Sequence, residues 1–258
     1  MSLKSRARNG EKLLGVLLRM PAEELVEMVA LSGFDFLLID CEHGPADLIP
    51  LRQHIALAAV HGVQVVVRIG SHEPALALRV LDQGATGIVA PHVDDVATAR
   101  ALVDAVHYPP LGRRGFATYS RAGRFGLADP ATHKQRMLDD TLVVGMIESP
   151  SAAAAAADIL AVPGIDGTMI GTADLGASRT ETDPPIAELV ASVNSVLAAS
   201  PALRMDIVTG PDKASAAFAD GADLVVYNLA HTLMGHLADL RDAHGSGSAP
   251  RLGGEQRG

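Results

Sequence analysis

Asp40, Cys41, Glu42 and His43 stand in a row at the end of a largely apolar run that begins at Phe34, and Gly44-Pro45 breaks the chain just beyond them. An imidazole has an ordinary pKa close to neutrality, which suits His43 to acid–base work. The bland reading of the two carboxylates beside it is a strand end whose acids cap the next helix. Cys41 is a small residue that fills space. A buried strand that stops in titratable groups is how parallel α/β folds build active sites. Four more groups share this placement. Arg68 ends the run Val63 to Arg68, His92 follows Thr86 to Ala90, Glu148 ends the run that starts at Leu142, and Asp174 comes just after Ile165 to Ile170. Arg68 offers a planar fork to a carboxylate or an enolate oxygen.

Glu148 and Asp174 belong to consecutive strands. Two carboxylates on neighbouring strand ends form a hard, oxygen-rich and partly open site suited to Mg²⁺ or Mn²⁺ completed by water and substrate oxygens. A single cysteine excludes a thiolate zinc site. A glycosidase-type carboxylate pair is the competing use. It is disfavoured because the chain has no Trp on which a sugar ring could stack.

These groups need a scaffold that brings many strand ends to one mouth. Short apolar runs at Leu13–Leu18, Phe34–Asp40, 63–68, 86–90, Leu142–Glu148, 165–170, 203–208 and 222–226 read as eight strands. Helical stretches separate them, with Pro21, Pro74, Pro150 and Pro211 at first turns. The last helix is expected over roughly 229–243. Eight βα units in one chain of 258 residues predict an α/β fold, a (β/α)8 TIM barrel. A doubly wound open sheet is the alternative, but Arg19-Met20-Pro21 after strand one is not a Gly-rich fingerprint. Residues 1–10 are expected as a flexible arm, 11–243 as a single barrel domain and 244–258 as a disordered tail. Residues 108–130 form the longest irregular stretch, with paired arginines at Arg113-Arg114.

The net charge of −9, the absence of a Lys-rich run and the scarcity of aromatic residues argue against nucleic acid as a partner. No apolar stretch is long enough to span a bilayer, and the polar, basic start lacks the features of a secretory signal. The expectation is a soluble, cytoplasmic enzyme that does not engage a membrane.

The chain resembles the HpcH/HpaI aldolases, metal-dependent pyruvate aldolases that include 4-hydroxy-2-oxoheptanedioate aldolase. The resemblance covers about residues 11–240. It rests on Gly33-Phe34-Asp35-Phe36-Leu37-Leu38-Ile39-Asp40-Cys41-Glu42-His43-Gly44-Pro45. It continues in Val67-Arg68, Leu81-Asp82-Gln83-Gly84-Ala85, Tyr108-Pro109-Pro110-Leu111-Gly112-Arg113-Arg114-Gly115, Ile147-Glu148, Gly164-Ile165-Asp166-Gly167 and Ile170-Gly171-Thr172-Ala173-Asp174-Leu175.

The resemblance implies a class II aldolase or lyase that makes or breaks a bond between a pyruvate-type enolate and an aldehyde. It implies Glu148 and Asp174 as ligands of Mg²⁺, Mn²⁺ or Co²⁺, and Arg68 on the keto or enolate oxygen. His43 becomes the acid–base residue acting through a water, with Asp82, of its own or a neighbouring subunit, as its partner. Backbone N–H groups at Ala173 and Asp174 hold the pyruvyl carboxylate, and Gly171 and Thr172 belong to the same substrate-binding turn. The family fold exchanges its last helix between subunits, and a homo-oligomer is implied, a hexamer or trimer of dimers.

The departures concern the second substrate. Leu17 stands where many members have Trp, Met146 where the heptanedioate aldolases have Gln, and His92 where Met is usual. Thr172 and Gly176 replace Pro and Ser. Phe116 stands where a small apolar residue lines the aldehyde pocket. A biosynthetic relative that joins an enolate to a keto acid is the near alternative. A metal-dependent phosphodiester hydrolase is the rival from another class, although only Arg68 is evident as a phosphate ligand. A non-catalytic assembly protein is disfavoured because no core site residue is missing.

Overall fold

The computed structural model describes residues 1–44, 48–71 and 73–243. Pro45, the helix start expected at residue 47 and the tail 244–258 expected as disordered lie outside the described residues. In chain order the elements begin α1 (Leu3–Arg8), β1 (Leu13–Leu18), α2 (Glu23–Leu31), β2 (Phe36–Asp40), α3 (Leu48–Val60), β3 (Gln64–Arg68) and α4 (Pro74–Asp82). They continue β4 (Gly87–Ala90), α5 (Val96–Val106), α6 (Pro130–Asp140), β5 (Leu142–Ile147), α7 (Pro150–Ala154), α8 (Ala156–Leu160) and β6 (Gly167–Ile170). The last are α9 (Thr172–Ser178), α10 (Ile186–Ala198), β7 (Leu203–Val208), α11 (Pro211–Ala219), β8 (Leu224–Asn228) and α12 (Leu229–Asp242).

The strands pair in parallel in sequence order, and β8 pairs with β1 to close the barrel. This is the expected (β/α)8 architecture. It follows from strands apolar on both faces: one face fills the barrel and the other receives the helices. Phe36, Leu38, Val66, Val89, Leu142, Val144, Met146, Met169, Met205 and Val226 pack inside the barrel. Side chains alternate along a strand, so the next inward positions at the C-terminal ends fall on Asp40, Arg68, Glu148 and Asn228. The core parity itself therefore aims the polar groups at the axis. Gly15 makes room for the interior: a Cβ there would lie 2.6 Å from the Phe36 ring.

Residues 1–10, expected as a flexible arm, contain α1. Leu3 and Ala7 are buried against the barrel interior, so α1 closes the N-terminal end of the barrel. Lys4, also buried, meets Asp166 at 2.9 Å, and its ammonium group also donates to the Thr141 carbonyl at 3.2 Å. Pairing with an acid far along the chain is what makes that lysine's burial tolerable.

A helix absent from the sequence expectation, α6, starts at Pro130 with Asp129 as its cap, accepting from the Thr132 N–H at 2.9 Å. The irregular stretch before it packs against the end of α4, where the Ala122 N–H donates to the Asp82 carbonyl at 3.0 Å. In a barrel this is the end opposite the mouth. Helix α12 buries none of its residues and exposes Met234, Leu237 and Leu240. Among the described residues no helix is long and apolar enough to cross a membrane.

Candidate active site

Strands β2 and β3 build the centre of the mouth. Asp40 and Arg68 are direct partners in the strand register. Arg68 donates through Nε to Asp40 Oδ1 at 2.8 Å and through Nη2 to Oδ2 at 2.6 Å. This two-point pairing fixes the guanidinium plane. Burial alone would raise the Asp40 pKa, but the hydrogen bonds and charge of Arg68, then Arg19, overcome it and hold the carboxyl below the usual range. The remaining Arg68 nitrogen, Nη1, lies 3.2 Å from Glu42 Oε2 and 3.9 Å from the Met146 sulfur. Glu42 Oε2 is buried and forms no aligned hydrogen bond, so its contact with Arg68 is an ion pair alone.

Glu148, just past β5, is buried, and burial pushes its carboxyl pKa up. The backbone N–H of His92 donates to its Oε2 at 2.8 Å and opposes that rise, while the charges of Glu42 and Asp174 add to it. His92 has φ 52°, the left-handed region that non-glycine residues seldom occupy. This turn points both its N–H and its ring at Glu148, with Nδ1 3.7 Å from Oε2. Gly171 lies against the Glu148 side chain so closely that any Cβ would land on the carboxylate. Asp174 sits in the first turn of α9, where the Thr172, Ala173 and Asp174 N–H groups have no intrahelical partners.

The chemistry of this set fits a divalent cation. Glu42, Glu148 and Asp174 form a group of acids in which burial penalises the charge on Glu148, and a cation would relieve that penalty. Among the described residues no three His, Cys, Asp or Glu side chains form a ready-made metal cage. The donors are carboxylate oxygens on adjacent strand ends, the open arrangement that water and substrate oxygens complete.

Most of the sequence-derived candidates meet at this mouth: Asp40, Glu42, His43, Arg68, His92, Met146, Glu148, Gly171, Thr172, Ala173 and Asp174. His43 is half-exposed, with Nε2 3.7 Å from Glu42 Oε2. Two candidates lie elsewhere in the same chain. Asp82 ends α4 at the opposite face and pairs with the buried Arg114 at 2.6 Å. Phe116 packs edge-on against Tyr108 at 5.3 Å and beneath Lys134. A helix that follows a strand returns to the barrel's other end, so neither side chain reaches this mouth from its own chain.

The sequence reading passed over Arg19. It follows β1 directly, and its Nε donates to Asp40 Oδ2 at 2.8 Å. An arginine after a buried strand obeys the same rule that singled out Arg68 and Glu148. Asn228, at the end of β8, caps α12 by accepting from the His231 N–H at 3.4 Å.

Three comparisons bear on this site. The family model for HpcH/HpaI aldolase/citrate lyase matches residues 14–233. The 2-keto-3-deoxy-L-rhamnonate aldolase of Escherichia coli (strain K12) is 34% identical over 244 residues, covering 92% of this chain and 90% of the relative. The 2-dehydro-3,6-dideoxy-6-sulfogluconate aldolase of Pseudomonas putida is 37% identical over 164 residues, 64% of each chain. A solved HpcH/HpaI aldolase/citrate lyase family protein from Burkholderia cenocepacia J2315 superposes with a TM-score of 0.86 at 26% identity, covering 95% of this chain and 99% of that one.

Proposed function

The chain belongs to the HpcH/HpaI aldolase/citrate lyase family, and on that premise we propose that it is a metal-dependent class II aldolase. It cleaves or forms the bond between a pyruvate-type enolate and an aldehyde. The observation that carries this reading is the arrangement at the mouth: the buried Glu148 carboxylate just past β5 and the Asp174 carboxylate in the first turn of α9 share the mouth with an arginine fork locked on Asp40. Glu148 and Asp174 hold Mg²⁺, Mn²⁺ or Co²⁺. The chemistry such an ion supplies is Lewis-acid stabilisation of oxyanion charge.

This chain's own residues do the rest. Arg68, its plane fixed by Asp40, presents Nη1 to the keto oxygen and strengthens its hydrogen bond as charge grows there. The N–H groups of Ala173 and Asp174 orient the carboxylate of the 2-oxo acid. In the cleavage direction His43, acting through a water, accepts the proton of the 4-hydroxyl. The C3–C4 bond breaks, the aldehyde leaves, and the electron pair stays on the enolate. Protonation of the enolate carbon gives pyruvate. Asp82 partners His43 from a second copy of the chain, since the two lie at opposite ends of one barrel. The protein acts as a soluble, cytoplasmic homo-oligomer.

The test is turnover of pyruvate with a panel of aldehydes before and after exhaustive chelation. Activity should vanish on chelation and return with Mg²⁺, Mn²⁺ or Co²⁺, but not in Glu148→Gln or Asp174→Asn. Full activity in metal-free enzyme would sink the proposal.

A further inference from the structure

A cavity of about 530 Å³ lies at the end of the barrel opposite the mouth. Thr86 and Thr141, just before β4 and β5, help to line it, which fixes that position. Arg121, Arg124 and Arg136 line it too, with Asp140 as its one acid. Among the described residues none of the three arginines forms an ion pair. Arg121 Nη1 donates to the Gln83 carbonyl at 3.2 Å, and Arg136 Nη2 donates to the Ala122 carbonyl at 2.6 Å. Both partners are neutral, and the Arg124 guanidinium has no hydrogen-bond partner among the described residues. Three cations against Asp140 leave two positive charges around one cavity, in a chain whose net charge is −9. The buried His133, with Nδ1 3.3 Å from Arg136 Nη2, feels this field. Burial lowers its pKa first, and the charges of Arg136 and Arg114 lower it further, against Asp82.

The segment that carries Arg121 and Arg124 is tightly tied. Every backbone N–H from Ala122 to Ala128 donates within the protein: that of Ala122 to the Asp82 carbonyl, that of Gly123 to the Ser120 hydroxyl, and the rest within the segment 118–124. These bonds hold Arg124 and Phe125 at φ 55° and 54°, where non-glycine residues seldom sit. A backbone fixed in advance lowers the ordering cost of binding.

The charge count selects a dianion, and guanidinium forks match an oxyanion with several oxygens. The cavity is larger than a phosphate ion needs. Phe125, Leu127 and Met137 add apolar lining suited to the organic part of a monoester.

We propose that Arg121, Arg124 and Arg136 form a binding site for a phosphate dianion, free or as the phosphoryl group of a small molecule, at the end of the barrel away from the catalytic mouth. The inference goes beyond the aldolase reading and does not depend on it.

The experiment is calorimetric titration with inorganic phosphate and with glycerol 3-phosphate at constant ionic strength, above the second phosphate pKa of about 6. It is run with Mg²⁺ and again after chelation. One site per chain is expected, with the same affinity in both conditions, because no metal takes part. Tighter binding of the ester would assign the site to a phosphorylated molecule, and tighter binding of inorganic phosphate to the free ion. Sulfate should compete and acetate should not. Arg124→Gln loses no internal contact, so it should fold normally and weaken binding at least about tenfold, the scale of one charge-assisted hydrogen bond. Arg124→Lys should recover part of that loss, and Arg68→Lys at the mouth should bind as the wild type does. Absence of binding, loss of binding on chelation or in Arg68→Lys, or unchanged affinity in Arg124→Gln overturns the assignment.

Discussion

Truncating Asp40 to alanine tests whether the fork of Arg68 is held as described. The carboxylate accepts from Arg68 Nε and Nη2 at 2.8 and 2.6 Å, from Arg19 Nε at 2.8 Å, and from the Glu42 and His43 N–H groups at 3.2 and 3.3 Å. Removing it strands a buried arginine. Breaking a buried pair by removing one partner costs about 3–5 kcal/mol. Glu42 stays 3.2 Å from Arg68 Nη1 and keeps the loss near the lower end, about 3 kcal/mol. Urea unfolding followed by circular dichroism at pH 7 reads this directly. Asp40→Ala combined with Arg68→Met should recover most of the loss, because the uncompensated charge is gone. The loss also carries a pH signature. The folded carboxyl titrates below its ordinary value of 3.8, so its stabilisation is complete above that pH and fades as pH falls through the lower folded value. The gap between wild type and Asp40→Ala should therefore hold from pH 7 to about 4 and close only in stronger acid. A single variant costing under about 1 kcal/mol, or a double variant no better than the single, would refute the pairing argument.

Three further outcomes follow from particular contacts. Burial raises the Glu148 pKa above its ordinary value, so in metal-free protein the charged form destabilises the fold at neutral pH. Glu148→Gln should raise the melting temperature of chelated protein at pH 7, with the difference shrinking as pH falls through the raised value; a lower melting temperature would contradict this. Gly15→Ala should cost about 1–3 kcal/mol in urea unfolding, because its Cβ meets a fully buried Phe36 ring, and Phe36→Leu in the same chain should restore part of it. Borohydride added with pyruvate should leave the protein mass unchanged: Lys4 is paired with Asp166 at the far end of the barrel, Lys12 donates to the Ala222 carbonyl, and Lys213 is exposed on α11 with Nζ 3.0 Å from the Thr209 hydroxyl. A trapped pyruvyl adduct on any lysine would point to Schiff-base chemistry.

The barrel was legible because each strand is a short apolar run with a helix behind it, a local pattern that needs no knowledge of distant partners. The mouth was legible for the same reason: Arg68 and Glu148 directly end or follow such runs. What escaped depends on contacts remote in sequence. Residues 3–8 are too short and basic to look like a buried helix, and only Asp166 makes the burial of Lys4 tolerable. Helix α6 has a polar surface and follows a long loop, so its only local mark was Asp129-Pro130. Arg19 stood in the right place but was read only as the lack of a glycine fingerprint. Asp82 and Phe116 were placed by resemblance, and in one barrel both lie at the end opposite the mouth.

The most direct test of the enolate mechanism needs no acceptor. Pyruvate is incubated with the enzyme in D₂O, and loss of its methyl proton signal is followed by NMR. The account predicts exchange that stops on chelation, resumes with Mg²⁺, Mn²⁺ or Co²⁺, and falls at least about a hundredfold in Arg68→Lys, which keeps the charge but loses the fork. Equal exchange in metal-free enzyme, or none in the metal-loaded wild type, would contradict it.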